Sequence, residues 1–338
     1  MGSVPRLRIG ACLSLTGRYA RFGLQAARGL ETWQALGGDA ELVLEDDASD
    51  PARVAAVVPD LAGRCDLLLG PYSTQLMRAA ARALVGRDRL IWNHGGSGDD
   101  VEGARPGRIV SVLTPASRYG RSYVRRLAAE SERAVLWIVE GRGSFGRQVA
   151  GGAAALARDL RLEVNRIGPG DELPGADAVP AWDLLCAGSF EEDVDRVNAA
   201  RALPRPPRTL CAVAAGVREL AQAVPDREGV FGIAQWFPGS GLPVELGPAE
   251  DAFSSAYSKS GHGVPDYPAV QAAAGAVLAT HCARLTGGSD PGGLWSAAVG
   301  LDTTTLFGRF RIDPRTGVQV EHQTALVRWT AGGLGIAG

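Results

Sequence analysis

The feature that most constrains the fold is a regular alternation between short apolar runs and segments with helical spacing. The chain opens with an apolar run over Leu7–Leu15, which stops at Thr16-Gly17 and gives way to a helical segment from Phe22 to Leu36. Three similar apolar runs follow before residue 100, at 41–46, 66–69 and 89–92. Alternation of this kind predicts an α/β fold, with parallel strands and crossover helices on both faces of a sheet.

A second series of the same kind extends from Ile109 to Ala234. Two successive series of about 100 residues each predict two similar lobes. The helical segments after Trp236 do not fit the second series, so we expect them to return to the first lobe and make the domains discontinuous. Two alternating runs between Leu306 and Trp329, separated by a turn at Asp313–Gly317, predict a β-hairpin.

Charge and hydropathy exclude several classes of partner. The net charge is −2, from 35 basic and 37 acidic residues, so the chain has no general field for nucleic acid or an anionic membrane. No apolar run reaches the roughly 20 residues of a transmembrane helix, and none is predicted. The start, MGSVPRLRIG, lacks the apolar core of a signal peptide. We expect either that a signal was removed from an extracytoplasmic protein or that the chain stays in the cytoplasm.

The chain contains five cysteines, and none belongs to a CxxC pair; they are Cys12, Cys65, Cys186, Cys211 and Cys282. Several lie inside apolar runs, where a free thiol behaves as a small hydrophobic group. We interpret all five as unpaired core thiols. That pattern suits a reducing compartment better than an oxidising one.

Two motifs resemble enzyme or nucleotide sites but are incomplete. Gly141, Gly143 and Gly146 satisfy GxGxxG, yet the acidic residue expected at the end of the next strand is missing, since Glu163 stands at that strand's beginning. A tight turn at a ligand cleft explains these glycines better than a nucleotide site. His94-Gly95-Gly96-Ser97 resembles an esterase oxyanion loop, but the chain has no GxSxG nucleophile motif. The four histidines lack metal-ligand spacing, so we expect no cofactor, no metal and no enzymatic activity.

Hydroxyl residues recur where a predicted strand ends and a helix or loop begins. They are Ser73, Thr74, Ser97, Ser117, Ser144 and Ser189. Hydroxyls and exposed N–H groups at such positions bind carboxylates and other anions. Capping of their own helices is the simpler explanation for each of them, and Ser189 with Glu192 forms a capping box. Aromatic residues stand beside them, as expected for a small-ligand pocket.

Five stretches, in order, resemble one known family. They are SLTGRYARFGLQAARGLE, EDDASDPARV, LLLGPYST, PDYPAVQAAAGAVLA and TLFGRFRIDPRTGVQ. The chain resembles type I periplasmic-binding-fold proteins from Arg6 to Trp329, in the branch that binds leucine, isoleucine and valine for ABC importers. The resemblance implies two Rossmann-like lobes, joined by three hinge crossings, that trap a ligand. We expect 6–115 with 237–308 in lobe 1, and 116–236 with 309–332 in lobe 2.

The resemblance also implies which residues contact the ligand. Ser73 and Thr74 would hold its carboxylate, and Ser97 with the backbone of Gly95 and Gly96 would read carboxylate and ammonium together. The full candidate set is Tyr19, Tyr72, Ser73, Thr74, Gly95, Gly96, Ser97, Tyr119, Phe145, Ser189, Phe190 and Trp236. Phe145 stands where the family often has a tyrosine, and Trp236 stands near a hinge crossing.

One departure from the family concerns the ligand's ammonium group. Amino-acid binders carry an acidic residue after the strand that corresponds to 209–214, where this chain has Ala215-Gly216, and Glu219 lies farther along. A buried ammonium without a partner costs several kcal/mol. A carboxylate without an amine, an amide or an aromatic acid is therefore at least as good a candidate as an aliphatic amino acid, unless Asp99 or Asp100 supplies the charge.

Two functional interpretations remain open. The first is a non-enzymatic solute-binding protein that delivers a small ligand to an ABC permease, if the chain is exported. The second is a cytoplasmic ligand sensor of the same fold that acts through a regulatory protein.

Overall fold

The computed structural model describes residues 6–130, 135–174, 181–239 and 243–337. The chain divides into two compact units, which we call the first unit (1–113 and 238–322) and the second unit (114–237 and 323–338). It passes from one unit to the other three times. Residues 309–322, which the sequence analysis assigned to the second lobe, group with the first unit.

The first unit is built on a parallel sheet. Its first elements are β1 (Leu7–Leu13), α1 (Ala20–Ala35), β2 (Ala40–Asp46), α2 (Pro51–Arg64), β3 (Leu67–Leu69), α3 (Thr74–Ala83), β4 (Ile91–Asn93) and β5 (Ile109–Ser111). The strand order is β2-β1-β3-β4-β5, and every neighbouring pair is parallel. The predicted α/β alternation is therefore confirmed here.

The second unit repeats this plan. Its elements are α4 (Arg121–Ala129), β6 (Val135–Glu140), α5 (Gly143–Asp159), β7 (Val164–Ile167), β8 (Trp182–Ala187), α6 (Phe190–Arg201), β9 (Thr209–Ala212), α7 (Leu220–Ala223) and β10 (Phe231–Ala234). Strands β6 to β10 form parallel pairs within a sheet of order β14-β13-β10-β9-β8-β6-β7.

The chain then completes both units. The first unit gains α8 (Glu250–Tyr257), α9 (Tyr267–Thr286), α10 (Pro291–Gly300), β11 (Thr303–Thr305) and β12 (Gly308–Phe310), and the second gains β13 (Ala325–Thr330) and β14 (Gly333–Ile336). The predicted hairpin is confirmed only next to its turn, and its two long runs do not pair with each other. A single bridge, Ile312 to Gln319, flanks the predicted turn, while β12 pairs with β11 and β13 pairs with β10 and β14. Alternation showed that the runs were strands but could not identify their partners.

Local chemistry explains several boundaries. Asp50 caps α2 by accepting the N–H of Ala52 at 2.9 Å, with Pro51 in the first turn as predicted. Helix α9 is buried along most of its length, and its small residues let α1 approach closely. A Cβ atom on Gly29 of α1 would lie 2.1 Å from the carbonyl oxygen of Ala269. No described helix is long and apolar enough to span a bilayer.

The order of the strands indicates where each sheet binds ligands. In the first unit β2 and β3 lie on opposite sides of β1, and in the second unit β7 and β8 lie on opposite sides of β6. Open α/β sheets bind ligands outside the carboxyl ends of the strands at such a switch in direction. We therefore expect ligand contacts at the loops after β1 and β3 in the first unit and at those after β6 and β8 in the second.

Candidate functional site

The switch point of the first unit carries several predicted site residues. Tyr19 ends the loop after β1, Tyr72 and Ser73 lie in the loop after β3, and Thr74 begins α3. The loop after β4 adds Gly95, Gly96 and Ser97. The structure therefore places all seven first-unit candidates on loops or helix starts at the carboxyl edge of one sheet.

An aromatic cluster lies at this switch point. The ring of Tyr72 stacks on Phe22, with centroids 4.4 Å apart and planes 12° apart, and its hydroxyl is hydrogen-bonded to that of Tyr267. The Tyr19 ring lies 6.0 Å from the Tyr72 ring. Arg18 lies over Tyr19 at 5.5 Å, so a cation faces this cluster. Phe22 and Tyr267 were not among the predicted site residues, because both read as ordinary apolar positions of helices.

The hydroxyls of Ser73 and Thr74 are engaged within the protein. Ser73 Oγ accepts the N–H of Leu76 at 3.3 Å and caps α3, while Thr74 Oγ1 accepts the N–H of Gly98 at 2.9 Å. Ser73 also has φ 83° and ψ 147°, a conformation that non-glycine residues rarely adopt. Strain of this kind concentrates at functional loops. Capping thus describes the Ser73 hydroxyl, whereas the Thr74 hydroxyl ties α3 to the loop after β4.

Asn93, at the end of β4, organises the glycine loop. Its Oδ1 accepts the N–H groups of Gly95 at 3.2 Å and Gly96 at 2.7 Å, and its Nδ2 donates to the Gly96 carbonyl at 2.7 Å. Nδ2 also donates to Ser111 Oγ at 2.7 Å, and the Ser111 hydroxyl donates to Glu102. A ligand would therefore meet a glycine loop whose N–H groups already have an internal acceptor. Asn93 was not predicted for this role, because a single Asn after an apolar run belongs to no binding motif.

The Ser97 hydroxyl differs from its neighbours. Ser97 is buried, and its hydroxyl has no hydrogen-bond partner within residues 6–130, 135–174, 181–239 and 243–337. Asp100, proposed above as a source of negative charge, forms an ion pair with Arg78 at 2.6 Å. Ser97 is thus the polar side chain of this loop that remains available to a ligand.

The second unit has a cavity of about 320 Å³ at its own switch point. Its walls include the loops after β6 and β8 and one side of α6, among them Gly141, Arg142, Gly188, Glu192, Asp193 and Arg196. Phe145 lies in the first turn of α5, and Ser189 and Phe190 lie at the start of α6. Three more candidates therefore lie on the elements that follow the two strands flanking the switch point.

Two adjacent carboxylates hold these loops. Glu192 accepts the N–H groups of Arg142 at 3.0 Å and Ser189 at 2.9 Å, which supplies the predicted capping-box bond from Glu192. Partial burial acts to raise the pKa of Glu192, but these hydrogen bonds outweigh it and the net pKa is lowered. Asp193 accepts the N–H groups of Gly188 at 2.7 Å and Ala214 at 2.9 Å. Complete burial raises the pKa of Asp193 to about 7, although these bonds act against the shift.

The glycines of the GxGxxG motif have a packing role. A Cβ atom on Gly146 would lie 2.5 Å from the carbonyl oxygen of Ala187, and one on Gly141 would lie 2.5 Å from the Cα atom of Gly188. Gly143 has φ 87°, which favours glycine. The motif allows α5 to pack against the end of β8. No group of three or more His, Cys, Asp or Glu side chains suited to a metal ion occurs among the described residues.

The remaining candidates, Tyr119 and Trp236, lie near the chain crossings. The buried Gln235 side chain accepts the N–H of Thr114 at 3.3 Å, donates to the Thr114 carbonyl at 3.3 Å and is also bonded to the Tyr119 hydroxyl. The Tyr119 ring packs edge-on against Phe145, with centroids 5.5 Å apart. Trp236 is buried, and its indole N–H has no acceptor in the described part of the chain. Gln235 was missed because a single Gln between apolar residues carries no motif.

Packing explains why residues 215 and 216, just after β9, are not acidic. Ala215 is fully buried, and a Cβ atom on Gly216 would lie 2.2 Å from the Ile233 carbonyl oxygen. Neither position has room for a carboxylate. The Asp193 carboxylate reaches the Ala214 N–H of this loop from α6. Glu219 lies immediately before α7.

A profile of the periplasmic binding protein family matches residues 6–333. Similar solved structures include the leucine-binding protein LivK of Thermotoga maritima, with 14% identity, 98% of each chain covered and a TM-score of 0.83. LivJ of Streptococcus pneumoniae in complex with isoleucine has 17% identity, 98% coverage of each chain and a TM-score of 0.76. A solute-binding protein of Rhodopseudomonas palustris BisB5 in complex with 3,4-dihydroxybenzoic acid has 16% identity, covers 97% of this chain and 94% of its own, and has a TM-score of 0.78.

The chain belongs to the periplasmic binding protein family, because the match spans nearly all of its length. The structural similarities show the type I periplasmic binding fold. No curated protein sequence shows significant similarity to this chain. The family and these similar structures are binding proteins, and those from Streptococcus pneumoniae and Rhodopseudomonas palustris are binding components of transporters, which supports the resemblance inferred from the sequence.

Proposed function

We propose that this protein binds a small polar organic ligand between two closing lobes and delivers it to an ABC importer. One observation carries the proposal: the switch point of each unit's sheet carries aromatic and hydroxyl side chains on adjacent loops. Contacts from both units would shift an open–closed equilibrium toward the closed state, since a ligand favours the state it binds better.

The proposed ligand is a carboxylate with an aromatic ring, or an amide, rather than an aliphatic amino acid. The first unit has stacked rings with the guanidinium of Arg18 over Tyr19, and the position after β9 where amino-acid binders carry an acid is occupied here by Ala215 and Gly216. An unpaired buried ammonium costs several kcal/mol. Family members crystallised with isoleucine and with 3,4-dihydroxybenzoic acid show that the fold accepts both classes.

A thermal-shift screen tests this proposal with amino acids, hydroxybenzoates, aliphatic amides and short peptides. A ligand at a hundred times its dissociation constant stabilises the folded state by about 2.7 kcal/mol, which moves Tm measurably. We expect the largest shift from a hydroxybenzoate or an amide. If leucine or valine gives the only shift, the proposed ligand class is wrong and the binding function stands.

Variants of the candidate residues locate the site. Ser97→Ala and Phe145→Ala should remove the ligand-induced shift, because one supplies an available hydroxyl and the other an aromatic wall. Ser260→Ala is the control, since Ser260 is exposed and its hydroxyl donates to the Ala256 carbonyl at 3.1 Å. Unchanged shifts in both site variants would place the site elsewhere.

Transport and sensing are separated by uptake of labelled ligand in cells with and without the gene. Loss of uptake on deletion supports delivery to a permease. Uptake that persists, together with loss of a ligand-dependent transcriptional response, would favour the sensor instead.

A further inference from the structure

The loop after β1 is held in place by the neighbouring loop after β2. The Asp46 carboxylate accepts the N–H groups of Leu15 at 2.9 Å, Thr16 at 3.1 Å and Ala48 at 2.8 Å, and the Thr16 hydroxyl at 2.6 Å. Slight burial acts to raise the pKa of Asp46, but these hydrogen bonds outweigh it and the net pKa is lowered. One carboxylate therefore fixes the start of the β1 loop.

Ser49 fixes the other end of the same loop. Its hydroxyl donates to the Thr16 carbonyl at 2.7 Å and accepts the N–H of Tyr19 at 3.0 Å. Tyr19 is the last residue before α1 and the one whose ring reaches the aromatic cluster. The backbone of Tyr19 is thus positioned by a side chain 30 residues away.

The turn that presents Ser49 is strained. Ala48 has φ 51° and Ser49 has φ 59°, so two successive non-glycine residues occupy the left-handed region. Gly17, on the facing loop, has φ 80°, and a Cβ atom there would lie 2.5 Å from the Ala48 carbonyl oxygen. Asp50 already caps α2, so the helix start does not depend on the bonds that Ser49 makes. The bonds formed by this turn serve the β1 loop.

We propose that Asp46 and Ser49 are positioning residues of the ligand site, which hold the β1 loop so that Tyr19 presents its ring at the switch point. The inference rests on the proposed function in one respect, namely that Tyr19 contacts the ligand. Neither Asp46 nor Ser49 needs to touch the ligand.

A matched pair of variants separates the effect of the Ser49 hydroxyl from the effect of the strained backbone. Ser49→Gly and Ala48→Gly each relieve one left-handed non-glycine residue, but only Ser49→Gly removes the two bonds to the β1 loop. In the ligand-free full-length chain, the Tyr19 amide should exchange with solvent at least tenfold faster in Ser49→Gly than in Ala48→Gly. The ring contact between Tyr19 and Tyr72, read by NMR, should weaken in the same variant. Asp46→Asn should have both effects and also accelerate exchange at Leu15 and Thr16.

Calorimetry with 4-hydroxybenzoate and L-leucine completes the test. For a probe that binds the wild type, Ser49→Gly should raise Kd at least tenfold relative to Ala48→Gly at similar Tm. Unchanged Kd, or equal amide exchange in the two glycine variants, would overturn the inference. If the wild type binds neither probe, 4-hydroxybenzoate is ruled out as a ligand, and the exchange and ring-contact measurements alone decide whether the turn positions Tyr19.

Discussion

The glycine loop after β4 in the first unit and the loop after β8 in the second unit are fixed by different chemistry. In the first unit the neutral amide of Asn93 holds the glycine loop, whereas in the second unit the buried carboxylate of Asp193 holds Gly188 and Ala214. An amide both donates and accepts, so it matches N–H and C=O groups at any pH. A carboxylate only accepts and carries a desolvation cost. The same backbone plan therefore gives one loop whose anchoring side chain is insensitive to protonation and one whose anchoring side chain is sensitive to it.

The largest effect is expected from Asn93→Asp, which puts a carboxylate where the first unit has an amide. The new carboxylate cannot donate to the Gly96 carbonyl or to Ser111, and it would be buried close to the Ser111–Glu102 pair. We expect a loss of about 3–5 kcal/mol in the free energy of unfolding. Urea denaturation measures it, and the exposed Asn198→Asp serves as the control. A loss below about 1 kcal/mol would show that Asn93 does not fix this loop.

Two buried groups, one in each unit, should make the stability depend on pH with opposite signs. Burial lowers the pKa of His322, in the first unit, to about 4, so its contribution to stability is lost as pH falls below about 6.5. Burial raises the pKa of Asp193 to about 7, so Asp193 increasingly destabilises the folded state as pH rises from about 4 to 7. Each effect amounts to no more than about 3–4 kcal/mol. As pH falls, the free energy of unfolding of His322→Gln should rise relative to that of the wild type. That of Asp193→Asn should fall relative to the wild type.

Denaturant unfolding of both variants at pH 4.5 and 7.5 checks these signs. The groups facing Asp193 are Glu192 and Arg196 on α6, with Cys186 and Cys211 on the adjacent strands. None of them changes in either variant. Parallel pH profiles for the two variants would remove the contrast between the units.

The smallest expected effect concerns the aromatic cluster of the first unit. Tyr267→Phe keeps the ring near Phe22 and removes the hydroxyl bonded to Tyr72. We expect a loss of about 0.5–1.5 kcal/mol in stability, the net value of one hydrogen bond. A double-mutant cycle with Tyr72→Phe isolates the pair. Additive losses would show that the two hydroxyls do not interact.

The fold was predictable because its signals are local. The alternation of apolar runs and helical segments predicted α/β sheets, and Asp50-Pro51 marked the start of α2. The second run of the tail shows the limit, since its strand, β13, pairs with β10 rather than across the predicted turn. Strand pairing depends on contacts that no local pattern encodes.

The candidate site was only partly predictable for the same reason. Ser189 and Glu192 are three residues apart, so their capping box could be read directly. Tyr72 and Tyr267 are 195 residues apart, and no local pattern in either segment predicts that their hydroxyls form a hydrogen bond. Asp193 reads as one more acid at the start of a solvated helix, although it is 1% exposed. Polar residues that position loops resemble ordinary surface residues until the fold is known.

All five cysteines are free and buried, and burial raises the pKa of each thiol. Because the thiolate is the reactive form, such sulfur atoms react slowly with oxidants and with one another. Purified protein should keep its unfolding midpoint with or without dithiothreitol, and should remain unlabelled by iodoacetamide until denatured. Cysteine usage therefore says little about where this protein works.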